Sequence, residues 1–266
     1  MQQCLAAPVS AGATPLPLCY QRVAMNWSDE GIILSVRPHG ETAAVVELFT
    51  RAHGRHTGLV HGGRSRKIRP VLQTGNHVDA AWKGRLSEHL GHMTLELRTG
   101  YAAQAMDDAA SLVALTSMAS LARLLPERDP HPNLYEITLF VFGFLDDPTA
   151  WPALMVRWEL ALLAELGFGL DLNECAATGT NDALIYVSPK SGRAVSASAG
   201  EPYRERLLSL PGFLLSGRRS GAGVTEIDVM NGLKLTRFFL ESRVFAPRDM
   251  KLPEPRLRLE ALLAQE

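Results

Sequence analysis

A group of cations directly behind a glycine pair is the part of this sequence best suited to bind a charged ligand. Between Glu47 and Asp79 the chain contains no carboxylate, so no neighbour in sequence neutralises the positive charge there. The pair Gly62–Gly63 can adopt positive φ, which would leave the following cations on a mobile loop. We therefore predict a phosphate-binding loop, whose cations are Arg64, Arg66, Lys67 and Arg69.

The same basic run has two simpler interpretations, and the run alone leaves them open. A cluster of cations is often only a solvated surface, and it can also serve as a localisation signal. Further cations in the flanking sequence favour nucleic acid, because they would extend the phosphate-binding track. These residues are Arg37, Arg51, Arg55, Lys83 and Arg85.

Aromatic side chains that could stack on bases are fewer than the cations. Trp27, Phe49 and Trp82 are the candidates, and each is equally suited to the core of a small domain. Phosphate contacts should therefore outweigh base contacts. This predicts salt-sensitive binding with weak sequence selectivity.

The sequence contains no recognisable catalytic or metal-binding signature. The glycine pair lacks the spacing of a Walker loop, and Gly167–Gly169 lacks the third glycine of a dinucleotide fold. No G-x-S-x-G elbow is present. Two H-x-x-H pairs have no accompanying cysteine or carboxylate set, so we interpret them as surface or strand-edge histidines. Those pairs are His53 with His56 and His89 with His92. We predict a protein that is not an enzyme.

The overall charge requires that any nucleic-acid surface be segregated from the rest of the molecule. The 266 residues carry a net charge of −1, unlike a uniformly basic nucleic-acid binder. Acidic residues cluster later, in residues 127–129, 146–147 and 159–174. Three scattered cysteines give no disulfide framework, and no apolar run reaches the length of a membrane span. We expect a cytoplasmic, nucleoid-associated protein.

The first 26 residues are poor in charge and are interrupted by Pro8, Pro15 and Pro17. They lack the basic start and the clean apolar run of a secretory signal. We expect residues 1–26 to be a disordered leader. Translation from Met25 is an alternative, because the patterned sequence begins immediately after it.

Residues 27–100 have the pattern of short strands separated by glycine-containing turns. Gly31–Arg37 alternates apolar and other residues with a period of two. Five such strands in about seventy residues favour an OB-type barrel, the fold that often holds single-stranded nucleic acid. An SH3-like barrel or a plain sheet has the same pattern. The expected strands are Gly31–Arg37, Thr42–Phe49, His56–His61, Asn76–Lys83 and His92–Thr99.

Residues 101–266 change to helical periodicity, so the fold class is α+β with a mostly helical C-terminal domain. A loop-rich insertion with one strand-like run, Leu184–Val187, is expected over residues 171–200. Thr225 and Asp228 have the spacing of a capping box. The expected helices cover residues 102–125, 134–145, 151–166, 201–208 and 225–242, and a leucine-rich basic tail follows from Leu252.

The chain resembles the RecO family, which are bacterial recombination-mediator and DNA-repair proteins. The order and spacing of several short runs carry this resemblance from about Trp27 to the C-terminus. These runs are Glu30–Leu34, Gly40–Glu41, Phe49–Arg51 with Gly54, Gly62–Lys67, Leu72–Gln73, Arg157–Gly167 and Tyr186–Gly192.

The resemblance implies an N-terminal OB domain, a C-terminal helical domain and no turnover of a small substrate. It implies binding of single- and double-stranded DNA and annealing of complementary strands. Its implied protein partners are the single-strand-binding protein SSB, RecR and, indirectly, RecA, which is loaded onto SSB-coated DNA. The resemblance also implies that the loop cations and the strand cations together form the DNA-binding face of the family.

One departure from the family concerns a four-cysteine zinc site that some relatives carry in the insertion. Cys175 stands at the first ligand position, but Thr178 occupies the second, and Ser196 and Ala199 occupy the other pair. A structural zinc site normally needs four ligands, so we predict no zinc. We expect Cys175 to be buried and apolar packing to replace the metal, through Leu184, Tyr186 and Val187.

The leading hypothesis is a non-enzymatic DNA-binding adaptor, and two other functions compete with it. The first is a protein-interaction scaffold whose loop cations bind an acidic partner, such as the C-terminal tail of SSB. The second is an OB-fold RNA-binding protein. A flat dependence of affinity on salt would argue for the scaffold, and preference for RNA over DNA would argue for the second alternative.

Overall fold

Five strands form a closed barrel at the front of the chain. The computed structural model describes residues 25–84, 90–215 and 223–264. Within them the strand order around the barrel is β1-β2-β3-β5-β4, closed by a parallel contact between β3 and β5. This confirms the predicted OB-type barrel. The strands are β1 (Met25–His39), β2 (Ala43–Thr50), β3 (Gly54–Val60), β4 (His77–Gly84) and β5 (Gly91–Thr99).

The long first strand is shared between two neighbours. Its first half pairs with β4 as far as Ile32, and its second half pairs with β2 from Gly31 onward. A bulge between Ile33 and Ser35 interrupts the pairing with β2 just after this overlap. Beyond Ile32 no strand covers the second edge of β1 within the described residues. The segment between β3 and β4, residues 61–76, faces that edge instead, and we call it the basic loop.

The basic loop is anchored, whereas the sequence suggested that it would be mobile. Successive turns order its backbone, because the amide of Arg69 donates to the carbonyl of Ser65 at 3.1 Å and that of Leu72 donates to Ile68 at 3.0 Å. Leu72 is buried in the barrel core, with Ile68 and Val71 packed against it. At its end, the amide of Gly75 donates to the carbonyl of Ile33 at 2.8 Å. The loop therefore presents its cations from a fixed backbone.

The helical domain begins directly after the barrel. The single predicted helix over residues 102–125 is broken near its start, because Asp108 caps a new helix by accepting from the amide of Ser111 at 2.7 Å. The capping box of Thr225 and Asp228 is confirmed. The helices are α1 (Tyr101–Gln104), α2 (Ala109–Ala122), α3 (Pro132–Phe142), α4 (Trp151–Glu165), α5 (Ala197–Gly200), α6 (Glu226–Phe239) and α7 (Glu254–Leu263).

Two smaller features complete this domain. The insertion supplies two strands of a three-stranded sheet in the order β7-β6-β8, whose centre is the predicted strand, β6 (Leu184–Val187). Its partners are β7 (Ala194–Ser196) and β8 (Leu208–Ser209). Residues predicted as helix over 201–208 form a shorter 3-10 helix, Glu201–Arg206. Across the described ranges, we find no helix with both the length and the apolarity needed to cross a membrane.

The barrel and the helices share one hydrophobic core. Ile32, Leu34 and Phe49, on the outer side of β1 and β2, belong to the same buried cluster as the helical domain. Phe49 packs edge-on against Tyr135 of α3, with ring centroids 5.5 Å apart. At the β2–β3 turn, Gly54 has a φ of +65°, and a Cβ there would lie 2.2 Å from the backbone of the helical domain. The two parts therefore form a close junction that only glycine permits at this point.

A buried histidine makes the stability of the barrel depend on pH. His56 is 6% exposed among aromatic rings, and its Nδ1 has no hydrogen-bond partner among the described residues. Burial, aided by the charge of Arg128, lowers its pKa from 6.5 to about 4. Burial also lowers the pKa of His77. Between about pH 4 and pH 6.5, His56 carries a proton in the unfolded chain and not in the folded chain. The free energy of unfolding therefore falls as pH falls.

We expect the free energy of unfolding to drop by about 2 kcal/mol between neutral pH and about pH 4.5 because of His56 alone. Replacing His56→Phe should remove most of this dependence, since Phe retains an aromatic ring and cannot be protonated. Urea unfolding of both proteins at the two pH values measures the difference. An equal loss of stability in the two proteins would assign the acid sensitivity to other groups.

Candidate nucleic-acid interface

Gly62 and Gly63 allow the basic loop to pack against the barrel, and each must be glycine for a different reason. Gly62 adopts a φ of +63°, a left-handed conformation that favours glycine. Gly63 is needed for space, because a Cβ at this position would lie 2.7 Å from the Cβ of Ala44. The next residue is tied to the β1–β2 turn, since Arg64 donates from Nη1 to the carbonyl of Glu41 at 3.0 Å. The first loop cation therefore lies beside the end of β1.

The four predicted loop cations all point to solvent. Their side chains are exposed, while the apolar residues of the same loop turn inward. In the part of the chain that the structure describes, none of the four has a carboxylate oxygen within 4.0 Å. Their charge is therefore not neutralised locally, which leaves these guanidinium and ammonium groups able to contact phosphates. The residues are Arg64, Arg66, Lys67 and Arg69.

Two of the flanking cations lie at the same end of the barrel. Arg37 is exposed on β1, opposite Val45 and close to the β1–β2 turn that Arg64 contacts. Lys83 is exposed on β4 and pairs with His92 of β5. His92 in turn contacts His61 at the start of the basic loop. Arg85 lies outside the described residues.

Arg51 and Arg55 lie instead at the junction with the helical domain. Arg51 forms an exposed ion pair with Glu136, with Nη2 and Oε1 2.7 Å apart. Arg55 is 17% exposed, pairs with Glu47 and donates from Nε to the carbonyl of Leu125 at 2.9 Å. Arg123 binds the other oxygen of Glu47 at 2.8 Å. Arg55 therefore fixes the barrel to the helices, and Arg51 is neutralised by Glu136, so neither belongs to the set proposed to contact phosphates.

The buried carboxylate at this junction is held in its charged form. Burial alone would raise the pKa of Glu47, but the guanidinium groups of Arg55 and Arg123 outweigh it and lower that pKa. Sequence patterns could not reveal this group, because Glu47 and Arg123 are far apart in the chain. The only indication in the sequence was that Glu47 is a carboxylate within a run of strand-forming, mostly apolar residues.

The aromatic candidates belong to packed clusters. Phe49 and Trp82 are buried, so neither ring can stack on a base. Trp27 is half-buried and is already stacked on His53, with ring centroids 4.3 Å apart. Trp27 also stacks on Trp82, with ring centroids 5.8 Å apart. The exposed surface at the loop end therefore offers cations and no free aromatic ring among the described residues.

Carboxylates occupy a different face of the barrel. Glu30, Asp79 and Glu96 are cross-strand neighbours on β1, β4 and β5 and line one open cleft of about 520 Å³. Arg98 hydrogen-bonds Glu30 and thereby lowers the pKa of that carboxyl. The net charge here stays negative although Arg51 lines the cleft and Arg98 pairs with both Glu30 and Asp79, so this face disfavours a polyanion. The barrel therefore separates its charges, with an acidic side and a cationic end.

The histidines pair differently from their sequence spacing. His61 and His92 stack with centroids 4.6 Å apart, and Nε2 of the first lies 2.8 Å from Nδ1 of the second. His53 contacts Asp29 at 2.9 Å, and His89 lies outside the described residues. Among the residues with described coordinates, no three His, Cys, Asp or Glu side chains converge as a metal shell.

The insertion brings together two of the positions discussed for zinc. Cys175 is 1% exposed, and its Sγ lies 3.4 Å from Oγ of Ser196. Burial raises the pKa of the Cys175 thiol, but hydrogen bonds from Ser196 and Thr178 outweigh it and lower the pKa to about 6. The loss of zinc remains a prediction, and the sulfur lies in a more polar setting than expected.

Comparison with known proteins agrees with this architecture. The fold defines an OB-type barrel protein with a helical C-terminal domain. The family description "Recombination protein O N terminal" matches residues 25–101, and "Recombination protein O C terminal" matches residues 106–252. Together these regions cover most of the chain.

Named relatives point to the same family. The chain is 55% identical over 240 residues to the DNA repair protein RecO of Methylobacterium nodulans, which covers 90% of this chain and 98% of the relative. It is 53% identical over 233 residues to the DNA repair protein RecO of Rhodopseudomonas palustris, covering 87% and 93%. The protein from Rhodospirillum centenum is also 53% identical, over 237 residues, covering 88% and 93%. The chain belongs to the RecO family of DNA repair proteins.

Proposed function

We propose that this protein is a recombination mediator that binds DNA through the cationic end of its barrel and catalyses no reaction on a small substrate. The observation that carries the proposal is the anchored basic loop, whose cations are exposed and have no carboxylate partner within the described residues. The acidic face formed by Glu30, Asp79 and Glu96 directs a polyanion toward that end. The residues proposed to contact phosphates are Arg37, Arg64, Arg66, Lys67, Arg69 and Lys83.

Such a surface supports annealing of complementary strands. Two single strands repel each other, and this repulsion slows their encounter. Cations held along a fixed loop neutralise phosphates of both strands and release their counterions. Contacts to phosphates carry no sequence information, so any complementary pair can be brought together. Both single- and double-stranded DNA are therefore proposed ligands.

The helical domain is proposed to receive protein partners. Helix α3 exposes Ile137 and Phe140, and Phe144 in the turn after the helix lies beside Phe140, with ring centroids 4.9 Å apart. An exposed apolar stripe of this kind supports a docking role. The partners proposed are RecR and the C-terminal tail of SSB, with RecA loaded indirectly onto SSB-coated DNA. This role places the protein at the nucleoid in the cytoplasm.

Fluorescence anisotropy with a labelled oligo(dT) over a series of salt concentrations tests the DNA-binding part. We expect the logarithm of the binding constant to fall linearly with the logarithm of salt, by about 0.7 for each phosphate contact. A flat dependence would contradict phosphate binding and favour the scaffold. Competition with RNA of the same sequence separates the RNA-binding alternative, because only RNA offers a 2′-hydroxyl.

Annealing requires its own measurement. Two complementary oligonucleotides, carrying a donor and an acceptor fluorophore, are mixed with and without the protein, bare or coated with SSB. We expect the protein to accelerate duplex formation and the acceleration to disappear at high salt. Strong binding of both strands without acceleration would show that the protein binds DNA but does not anneal it.

A further inference from the structure

A cleft with an apolar floor and a cationic rim lies between the second half of β1 and the basic loop. It measures about 460 Å³, which is within the range of about 300–1,000 Å³ for small-ligand sites. No feature of the sequence predicted it, because its two walls come from segments that are about 30 residues apart. It is lined by Val36, Pro38, Ala44, Gly63, Arg64, Arg69, Leu72 and Gln73.

The floor is built from carbon atoms that the fold fixes in place. Ala44 and Leu72 are buried, and Val36 is half-buried against the barrel core. Gly63 allows the loop to approach Ala44 closely enough to close this side of the cleft. The floor therefore offers a small apolar surface that is rigid on both sides.

The rim carries two positive charges. Arg64 is held to the β1–β2 turn by its bond to the carbonyl of Glu41. Arg69 also lines the cleft, and Gln73 donates from Nε2 to its carbonyl at 2.9 Å. Neither guanidinium has a carboxylate within 4.0 Å among the described residues. The cleft is therefore complementary to an anion attached to a flat apolar group.

We propose that this cleft binds one nucleotide of a single strand, with the base against Val36 and Leu72 and its phosphate between Arg64 and Arg69. The inference rests on the proposed DNA binding and adds to it a preference of this site for single strands. A base in a duplex is paired and stacked, and moving it into a pocket costs a few kcal/mol. An unpaired base can enter without that cost.

The same geometry explains why the site does not read sequence. Every base has an apolar face, and the side chains of the floor, Val36, Ala44 and Leu72, are apolar. A nucleotide fits better than an acidic peptide, because further exposed cations, Arg37, Arg66 and Lys67, continue beyond the cleft. Repeated charges of this kind match the regular phosphates of a strand. An acidic peptide is the alternative occupant, and peptide competition during crosslinking distinguishes it from a nucleotide.

Abasic oligonucleotides separate base binding from phosphate binding, since they keep the phosphates and lack the bases. We expect an intact oligo(dT) to bind about five- to tenfold more tightly than an abasic strand of equal length, from burial of one face of a base. Val36→Met should fill the floor and reduce this ratio toward one while the salt dependence stays unchanged. Thr94→Met is the matched control, because Thr94 is exposed on the acidic side of the barrel.

Photocrosslinking from 5-iodouracil in a single strand tests the location in the unchanged protein. We expect crosslinks in the peptides that contain Val36 and Leu72, and we expect duplex DNA of the same sequence to give few. Equal binding of intact and abasic strands, or crosslinks only elsewhere, would overturn the proposed site while leaving DNA binding itself in place. Loss of DNA binding altogether would overturn the proposed function instead.

Competition with an acidic peptide distinguishes the two possible occupants of the cleft. An acidic peptide ending in an apolar residue is added to the crosslinking reaction in excess. If the peptide protects Val36 and Leu72 while bound single strands do not, the cleft binds peptides and the proposal fails. If crosslinking at these residues persists at peptide concentrations that saturate the protein, the nucleotide is the occupant.

Discussion

Replacing Arg64, Arg66 and Lys67 together with Ala is expected to weaken binding of single-stranded DNA by roughly ten- to hundredfold near physiological salt. The slope of the logarithm of affinity against the logarithm of salt should become shallower by about two, because each lost contact to a single strand removes about 0.7. The fold should persist, since the three side chains are exposed and the buried residues of the basic loop are unchanged. Anisotropy titrations at several salt concentrations measure both effects.

A second triple variant controls for the loss of net charge. Arg204, Arg206 and Lys251 are exposed in the helical domain, and replacing them with Ala removes the same three charges. Affinity should then change little, because long-range charge is screened over about 8 Å at physiological salt. Equal losses in the two variants would mean that binding follows net charge. An unaffected loop variant would place the DNA-binding surface elsewhere.

The barrel could be predicted because each strand carries its own local signal. Alternation with a period of two marks a half-buried strand, and glycine-containing turns mark its ends. The predicted strand bounds differ from the observed ones by one or two residues for four strands, and β1 starts earlier, at Met25. Met25 and Asn26 therefore belong to the barrel, while residues 1–24 of the expected leader lie outside the described residues.

The cationic surface could be predicted only in part, because local sequence does not show what lies across the fold. The basic loop was found because its cations are consecutive and its glycines are adjacent. Arg55 has the same local surroundings, but its partner Glu47 lies on the neighbouring strand and shares its charge with Arg123 of the helical domain. Register decides this pairing, and register depends on the closure of the whole barrel.

Contacts that form when the barrel closes, and contacts made by the C-terminal residues, could not be predicted from local sequence either. His61 meets His92 because β3 and β5 pair in parallel, which no local spacing indicates. The segment after Leu252 looked like a basic, leucine-rich tail. It forms α7 instead and carries Arg256 into the centre of the helical domain, where the side chain is fully buried. Exposure is the usual state of arginine, so its burial required a partner that the sequence did not show.

The partner of Arg256 is Glu159 of α4, and the side chains of Arg256 and Glu159 are both fully buried. Arg256 donates from Nε to Oε1 of Glu159 at 2.5 Å and from Nη2 to its Oε2 at 3.1 Å. Nη2 also donates to the carbonyl of Leu233 at 2.9 Å, and the hydroxyl of Thr236 donates to Glu159 at 2.5 Å. The network joins α4, α6 and α7, with nearly every polar atom paired.

Breaking this pair from one side should therefore be costly. Arg256→Met is expected to lower the free energy of unfolding by about 3–5 kcal/mol, because Glu159 would remain as a buried and uncompensated charge. Urea unfolding measures the loss. Arg204→Met is the matched control, since Arg204 pairs with Glu201 at the exposed surface and should cost less than about 1 kcal/mol.

The double variant Glu159→Leu with Arg256→Met distinguishes a buried charge from a general packing defect. Removing both charges should recover much of the stability lost in Arg256→Met, because apolar side chains of similar size avoid the cost of desolvation. If the double variant is as unstable as the single one, the loss comes from altered packing between α4 and α7. Because the pair lies in the helical domain and the basic loop packs on the barrel, the folded fraction of each variant should bind single-stranded DNA with unchanged salt dependence.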